Sequence, residues 1–220
     1  MRIFIATAKL DDIRWASGHG LVDGVLTTPS LLTAEVHPAG ARDLLSDICQ
    51  IATIPVAVTV GAVHATDIYR DARDLAKLGD GVIIQIPFVE DAVIAMKKLN
   101  AEGIRVAATL VFNAAQALLA AKAGATMVCI HLDQLDAQGH DGVDTIAAIH
   151  KLFAMHGVEC DVLAALPRNA AQFTGCALAG ADAIAVAPDA LRALLLHPLT
   201  DRGLDQFLTD LSRTHRTRAT

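Results

Sequence analysis

Short runs dominated by apolar and β-branched residues alternate along this chain with longer segments in which apolar residues recur at helical spacing or alanine predominates. The short runs are Arg2–Ala6, Gly24–Thr27, Pro55–Val60, Gly81–Ile86, Arg105–Thr109, Thr126–His131, Glu159–Ala164 and Ala183–Ala187. Most are continuously apolar and do not alternate with polar residues, as strands covered on both faces do. Between them the spacing predicts helices near Asp11–Ser17, Ala39–Ile51, Ala65–Leu78, Val89–Ala101, Asn113–Ala123, Val143–Met155, Asn169–Leu178 and Pro188–Leu196. A last helix is expected over Asp201–Arg213.

Several boundaries are legible. Asn113 and Asn169 stand where a side-chain oxygen can cap the first turn of a helix. Gly79, Gly103, Gly124, Gly157 and Gly180 follow helical patterns, where a left-handed residue is cheapest as glycine. The phrases Ala101-Glu102-Gly103-Ile104, Ala123-Gly124-Ala125-Thr126 and Ala179-Gly180-Ala181-Asp182 repeat one helix-to-strand joint. Repeated joints and eight strand–helix units predict an α/β fold, a closed (β/α)8 TIM barrel with an extra C-terminal helix, as one domain over 1–220. The runner-up is a doubly wound open sheet. It normally carries a glycine-rich phosphate turn after its first strand, and Ile5-Ala6-Thr7-Ala8-Lys9 has none.

Composition adds limits. The 220 residues are 53% hydrophobic and 19% charged, enough for a substantial core. A net charge of -6 gives no reason to expect nucleic acid as partner, and the short basic end Arg213–Arg218 reads as a solvated tail. Cys49, Cys129, Cys160 and Cys176 lack paired-ligand spacing, so neither metal site nor disulfide frame is expected. Free thiols point to a reducing, cytoplasmic compartment. The start enters a strand pattern at once, with no signal peptide, and no apolar run reaches membrane-spanning length.

In a barrel the chemistry sits at the C-terminal strand ends, which here offer Ala6-Thr7, Thr27-Thr28, Thr59, Gln85, Thr109, His131 and Arg168. Gln85 is the most informative. An amide at that place can bind, but resonance delocalises its nitrogen lone pair, so it cannot form an imine as lysine would. It either contacts ligand or ties the mouth together as a satisfied core amide. His131 is a candidate general acid/base, or hydrogen-bonds a barrel neighbour. Thr109 can hold a water or substrate hydroxyl. Thr27, Thr28 and Ser30 around Pro29 can bind sugar hydroxyls or close a loop, and Thr59 joins the expected ligand-binding set. Arg168, ahead of a helix, can dock a phosphate or carboxylate, or stand as a surface cation. Asp133 lies two residues beyond His131, a spacing unsuited to chelation. Lys9 is the lysine nearest the expected mouth.

Four segments together resemble the small transaldolase family, in the branch that includes fructose-6-phosphate aldolase. They are Gly24-Val25-Leu26-Thr27-Thr28-Pro29-Ser30, Ile84-Gln85-Ile86-Pro87, Leu99-Asn100-Ala101-Glu102-Gly103-Ile104 and Leu135-Asp136-Ala137-Gln138-Gly139. The resemblance implies a (β/α)8 barrel of carbohydrate metabolism acting through a lysine Schiff base on the fourth strand. It also implies a homo-oligomer, a decamer of two stacked five-membered rings, with the C-terminal helix on a neighbouring subunit. The stripe Leu204, Phe207, Leu208 and Leu211 independently wants a surface to cover it.

Measured against the family pattern, the pocket departs. Gln85 stands for the imine-forming lysine, Ala6 for an acid, Thr28 for an asparagine, and Thr59 for a glutamine or glutamate. His131 stands for a tyrosine, Gln134 for an arginine and Leu166 for a serine. Thr109 and Arg168 are retained. The expectation is a cofactor-free barrel using non-imine acid/base chemistry, through His131, Gln85 and Thr109, on a small polar carbonyl or sugar-like metabolite. Ordinary class I aldolase or transaldolase activity is not expected. Two alternatives stand beside it: a non-catalytic metabolite-binding or structural barrel, and a residual aldolase with a relocated lysine such as Lys9.

Overall fold

The computed structural model describes residues 1–217, with side chains described through Ser212. The basic end read from the sequence as a solvated tail therefore lies outside the described side chains. Eight parallel strands close into a barrel in chain order: β1 (Arg2–Ala6), β2 (Gly24–Leu26), β3 (Val56–Thr59), β4 (Val82–Pro87), β5 (Val106–Thr109), β6 (Met127–His131), β7 (Asp161–Ala165) and β8 (Ala183–Val186). Around them run α1 (Leu10–Gly18), α2 (Pro29–Glu35), α3 (Ala41–Ile51), α4 (Ala65–Ala76), α5 (Glu90–Ala101) and α6 (Ala114–Lys122). The outer layer continues with α7 (Leu132–Ala137), α8 (Gly142–His156), α9 (Ala170–Leu178), α10 (Pro188–Leu194) and the terminal α11 (Pro198–Thr217). Among the described residues no helix is long and apolar enough to cross a membrane.

Side chains alternate across each strand, and the two faces build two separate cores. Along β4, Val82, Ile84 and Ile86 join the layer between barrel and helices, whereas Ile83 points into the barrel. The inner core is made of small and large residues together: Ala6, Ala57, Ala107, Ala165, Ala183 and Ala185 beside Phe4, Leu26, Ile83, Met127 and Leu163. That mixture lets layers of side chains fill a closed tube without overcrowding. Phe4 fixes the choice at its neighbour on β2. A Cβ on Gly24 would stand 2.3 Å from the Phe4 ring, so glycine is the residue that admits the aromatic there.

Two strand-to-helix joints share one construction. Asn113 accepts from the Gln116 N–H at 2.9 Å, and the Gln116 side chain accepts from the Phe112 N–H at 2.9 Å. Asn169 accepts from the Gln172 N–H at 2.9 Å, and Gln172 accepts from the Arg168 N–H at 2.8 Å. Each pair satisfies two backbone donors reciprocally, in the manner of a capping box. In both joints a leucine three residues before the asparagine adopts left-handed backbone, Leu110 at φ 58° and Leu166 at φ 62°. An L-residue there costs about 1–2 kcal/mol. The leucines differ in what they touch: Leu110 is exposed, while Leu166 and Leu31 pack against the inner core.

The structure departs from the sequence reading in three places. Pro29–Glu35 and Leu132–Ala137 are helical where no helix is expected. The segment before Ala41 is a separate 3-10 turn, Pro38–Gly40, because Pro38 sits where a first turn begins. Gly79 is not left-handed, unlike Gly103, Gly124, Gly157 and Gly180.

Candidate functional site

Register brings the polar strand ends together. Thr59 of β3 is opposite Gln85 of β4, Pro87 of β4 is opposite Thr109 of β5, and His131 of β6 is opposite Ala165 of β7. Gln85 is 2% exposed and His131 8%, with Thr7, Thr27 and Thr109 also buried. The result is a polar ring above the inner apolar core, in two unlike halves.

On the β2–β4 side the polar groups satisfy one another. The Gln85 amide nitrogen donates to the Thr27 carbonyl at 2.8 Å and to the Thr59 hydroxyl at 3.2 Å. The Thr27 hydroxyl donates to the Ala57 carbonyl at 2.8 Å, and the Thr59 hydroxyl approaches the Thr27 carbonyl at 3.5 Å. Both amide hydrogens of Gln85 are therefore committed inside the protein, and its Oε1 is left as an acceptor. Of the two roles open to Gln85, the geometry favours the amide that ties the mouth together, with one acceptor left to offer.

On the β5–β6 side two of the groups, His131 and Cys129, are titratable. The Thr109 hydroxyl and His131 Nε2 are 3.0 Å apart, and Cys129 Sγ lies 3.8 Å from the same nitrogen. Burial holds the imidazole below its ordinary value of 6.5, partly offset by the Asp133 carboxylate. His131 is thus neutral at pH 7, a base and not an acid. Burial pushes the Cys129 thiol up to about 12, against a small opposing effect of the Thr109 hydroxyl, so it is no thiolate nucleophile.

The remaining expected site residues are less central. Thr28 caps α2, its hydroxyl accepting from the Leu31 N–H at 3.2 Å, and Ser30 is exposed on that helix. Arg168 is turned onto its own surroundings, with Nη2 on the Asp133 carbonyl at 3.2 Å and Nε 3.7 Å from the Asp136 carboxylate. Lys9 is exposed, its backbone N–H donating to Thr7 Oγ1 at 3.1 Å. In fact all six lysines, Lys9, Lys77, Lys97, Lys98, Lys122 and Lys151, are exposed. A cleft of about 410 Å³ lined by His150, Glu159, Cys160, Asp161 and Asp182 opens at the opposite, N-terminal end of the strands. Its aspartates are structural, with Asp161 paired to Arg2 and Asp182 accepting from the Val162 N–H. Barrel chemistry belongs to the other end.

With this geometry in place, the comparisons with known proteins are decisive about kinship. Residues 3–219 match the model of a family described as transaldolase/fructose-6-phosphate aldolase. The chain belongs to that family. It is 37% identical to probable transaldolase 1 of Bacillus anthracis over 214 residues, covering 97% of this chain and 99% of the relative. It is 39% identical to a probable transaldolase of Chelativorans sp. (strain BNC1), covering 97% and 98%. A probable transaldolase of Clostridium perfringens (strain 13 / Type A) is 36% identical, with 97% and 98% covered. Within this transaldolase-family barrel Gln85 occupies the place of the catalytic lysine. The family's fold is kept and its covalent group is not.

Proposed function

We propose that this barrel carries out non-imine acid/base chemistry on a small polar carbonyl or sugar-like metabolite, with His131 as the base. The observation that carries the reading is the buried Thr109–His131 pair, 3.0 Å apart, one and two strands from the amide in the lysine's place. If Nε2–H donates to Thr109 Oγ1, Nδ1 is the basic nitrogen and the threonine hydroxyl keeps its own proton to give. His131 then takes a proton from the carbon beside the carbonyl. The C–H electron pair moves into the carbon–carbon bond and the carbonyl pair onto oxygen, where the Thr109 hydroxyl supplies a hydrogen bond. The product is an enediolate beside a protonated His131; return of that proton to the same carbon regenerates the starting compound, and return to the former carbonyl carbon, with the hydroxyl proton passing between the two oxygens, gives its isomer. In this reading Gln85 Oε1 and the hydroxyls of Thr28, Ser30 and Thr59 meet the ligand, with Thr27 braced behind them and Arg168 at the rim.

Hydrogen–deuterium exchange at the carbon next to the carbonyl, followed by NMR with small hydroxyaldehydes and hydroxyketones in D2O, tests this. The expectation is catalysed exchange that His131→Ala abolishes and borohydride leaves intact. Exchange that persists in His131→Ala contradicts the role given to the histidine.

A second reading, a non-catalytic metabolite-binding barrel, has one observation in its favour: Leu31 and Leu166 pack over the inner core, where a reacting molecule would approach. Binding without exchange supports it. A residual aldolase with a relocated lysine is disfavoured by the exposure of every lysine. Self-association as a decamer fits the exposed stripe Leu204, Phe207, Leu208 and Leu211 on α11, which packing on a neighbouring subunit would cover. Free cysteines fit a cytoplasmic location.

A further inference from the structure

Two polar side chains meet His131 at one ring nitrogen, and none meets it at the other. The β5–β6 register pairs Ala107 with Met127 and Ala108 with Val128, which brings Thr109 level with Cys129. His131 is the next inward position along β6. Nε2 accordingly lies 3.0 Å from Thr109 Oγ1 and 3.8 Å from Cys129 Sγ. Nδ1 has no hydrogen-bond partner among the described residues, and it is not one of their sealed, unpaired polar atoms. It is the nitrogen through which the imidazole meets the mouth.

A neutral imidazole carries one ring proton, and the hydrogen bond made at one nitrogen decides which of the two holds it. A hydroxyl can donate to a bare Nε2 or accept from Nε2–H, so Thr109 suits both tautomers. The second neighbour breaks the tie. A good donor beside Nε2 would claim its lone pair and send the proton to Nδ1. Cys129 is a poor donor, and burial, which pushes its thiol up to about 12, keeps it from becoming a thiolate. At 1% exposed it occupies the place beside Nε2 that a stronger donor would need. Ala165 of β7, opposite His131, brings no polar side chain. Asp133 on α7 acts on the ring through its charge, and Arg168 after β7 is held on the Asp133 backbone carbonyl.

Resting on the acid/base reading above, we propose that Cys129 is a positioning residue for His131. By giving Nε2 a thiol neighbour and no second hydroxyl, it keeps the ring proton on Nε2, facing Thr109, and leaves the Nδ1 lone pair free as the base. No bond to sulfur forms or breaks. The thiol acts through the histidine alone, and a ligand at the mouth meets Nδ1.

The test is NMR of the ring nitrogens of His131 in the full-length protein at about pH 8, where the imidazole is neutral. The two nitrogen shifts separate the tautomers without any turnover. Wild type is expected as the Nε2–H form. Cys129→Ser adds a strong donor of similar size and is expected to move at least about half of His131 to the Nδ1–H form. Only the form with a free Nδ1 pair can take the proton, so deuterium exchange beside the carbonyl should slow at least about twofold with it. Cys129→Ala removes the sulfur without adding a donor. It should keep the Nε2–H form and exchange faster than Cys129→Ser, whereas a residue that only fills space would give the opposite order. Cys160→Ser, at the far end of the barrel, should leave the His131 shifts unchanged. The Nδ1–H form in wild type would overturn the proposal, and that result needs no variant to fold. So would wild-type nitrogen shifts in Cys129→Ser, slower exchange in Cys129→Ala than in Cys129→Ser, or altered shifts in Cys160→Ser. The acid/base reading fails separately, by exchange surviving in His131→Ala, an outcome that leaves the nitrogen shifts untouched.

Discussion

The two halves of the barrel mouth have the same origin in strand register and opposite character. On the β2–β4 half, Gln85, Thr27 and Thr59 bond one another and nearby backbone carbonyls, and no group there titrates. On the β5–β6 half, Thr109, His131 and Cys129 crowd around one imidazole nitrogen, with the unpaired Asp133 oxygen beyond. The former seat of covalent chemistry has become a brace, and proton chemistry has a place one and two strands away. A mouth can lose its nucleophile while keeping its polar ring, because a neutral amide donates to the Thr27 carbonyl and the Thr59 hydroxyl without the desolvation cost of a buried ammonium.

The sharpest way to break this contrast is to remove one member from each half. His131→Ala is expected to reduce turnover by at least about 10²-fold, the ordinary loss for a general base, with little change in folding. Gln85→Leu is expected to do the reverse. Leaving the Thr27 carbonyl and Thr59 hydroxyl without their donor should destabilise the fold by about 1–3 kcal/mol in chemical denaturation, with a smaller effect on rate. Equal rate losses in both variants would erase the distinction.

The pH dependence sharpens it further. With its folded value below 6.5, His131 binds fewer protons in the native state than in the unfolded chain as pH falls through and below 6.5. Its contribution to stability is therefore complete above that pH and declines on the acid side. Turnover should fall over the same acid limb as the base becomes protonated. His131→Gln should flatten the stability profile there, measured by urea unfolding at stepped pH. A Gln85→Leu profile should keep the wild-type shape.

Much of this architecture is legible in the chain itself. Continuous apolar runs locate all eight strands to within two residues at either end, since strands buried on both faces have no polar positions to blur them. Asn113 and Asn169 cap as their chemistry suggests. The short helices Pro29–Glu35 and Leu132–Ala137 are hidden because six or seven residues barely complete two turns, too few for a period to show. Left-handed backbone at Leu110 and Leu166 runs against intrinsic preference, so composition gives no warning. One signal is available: Leu110-Val111-Phe112-Asn113-Ala114-Ala115-Gln116 and Leu166-Pro167-Arg168-Asn169-Ala170-Ala171-Gln172 share leucine, asparagine, two alanines and glutamine at fixed spacing. Asp133 has a poor chelating distance from His131 and draws no attention on that ground. That one of its oxygens is buried without a partner is likewise not something spacing reveals.

That shared joint yields the smallest expected effect. Leu110 and Leu166 adopt the same backbone, but Leu166 packs inward and Leu110 is exposed. Leu110→Gly should relieve strain at little packing cost and change stability by about 1 kcal/mol or less, toward stabilisation. Leu166→Gly removes inner-core contacts as well, and its thermal midpoint should fall below that of Leu110→Gly.

The most direct measurement is intact-protein mass spectrometry after incubation with a keto-sugar and borohydride, with Gln85→Lys as the variant that restores an amine at the brace. Unmodified wild-type mass, beside a reduced sugar adduct in the variant, is the result expected of a barrel without imine chemistry. A sugar adduct on any amine of the wild-type protein would contradict it.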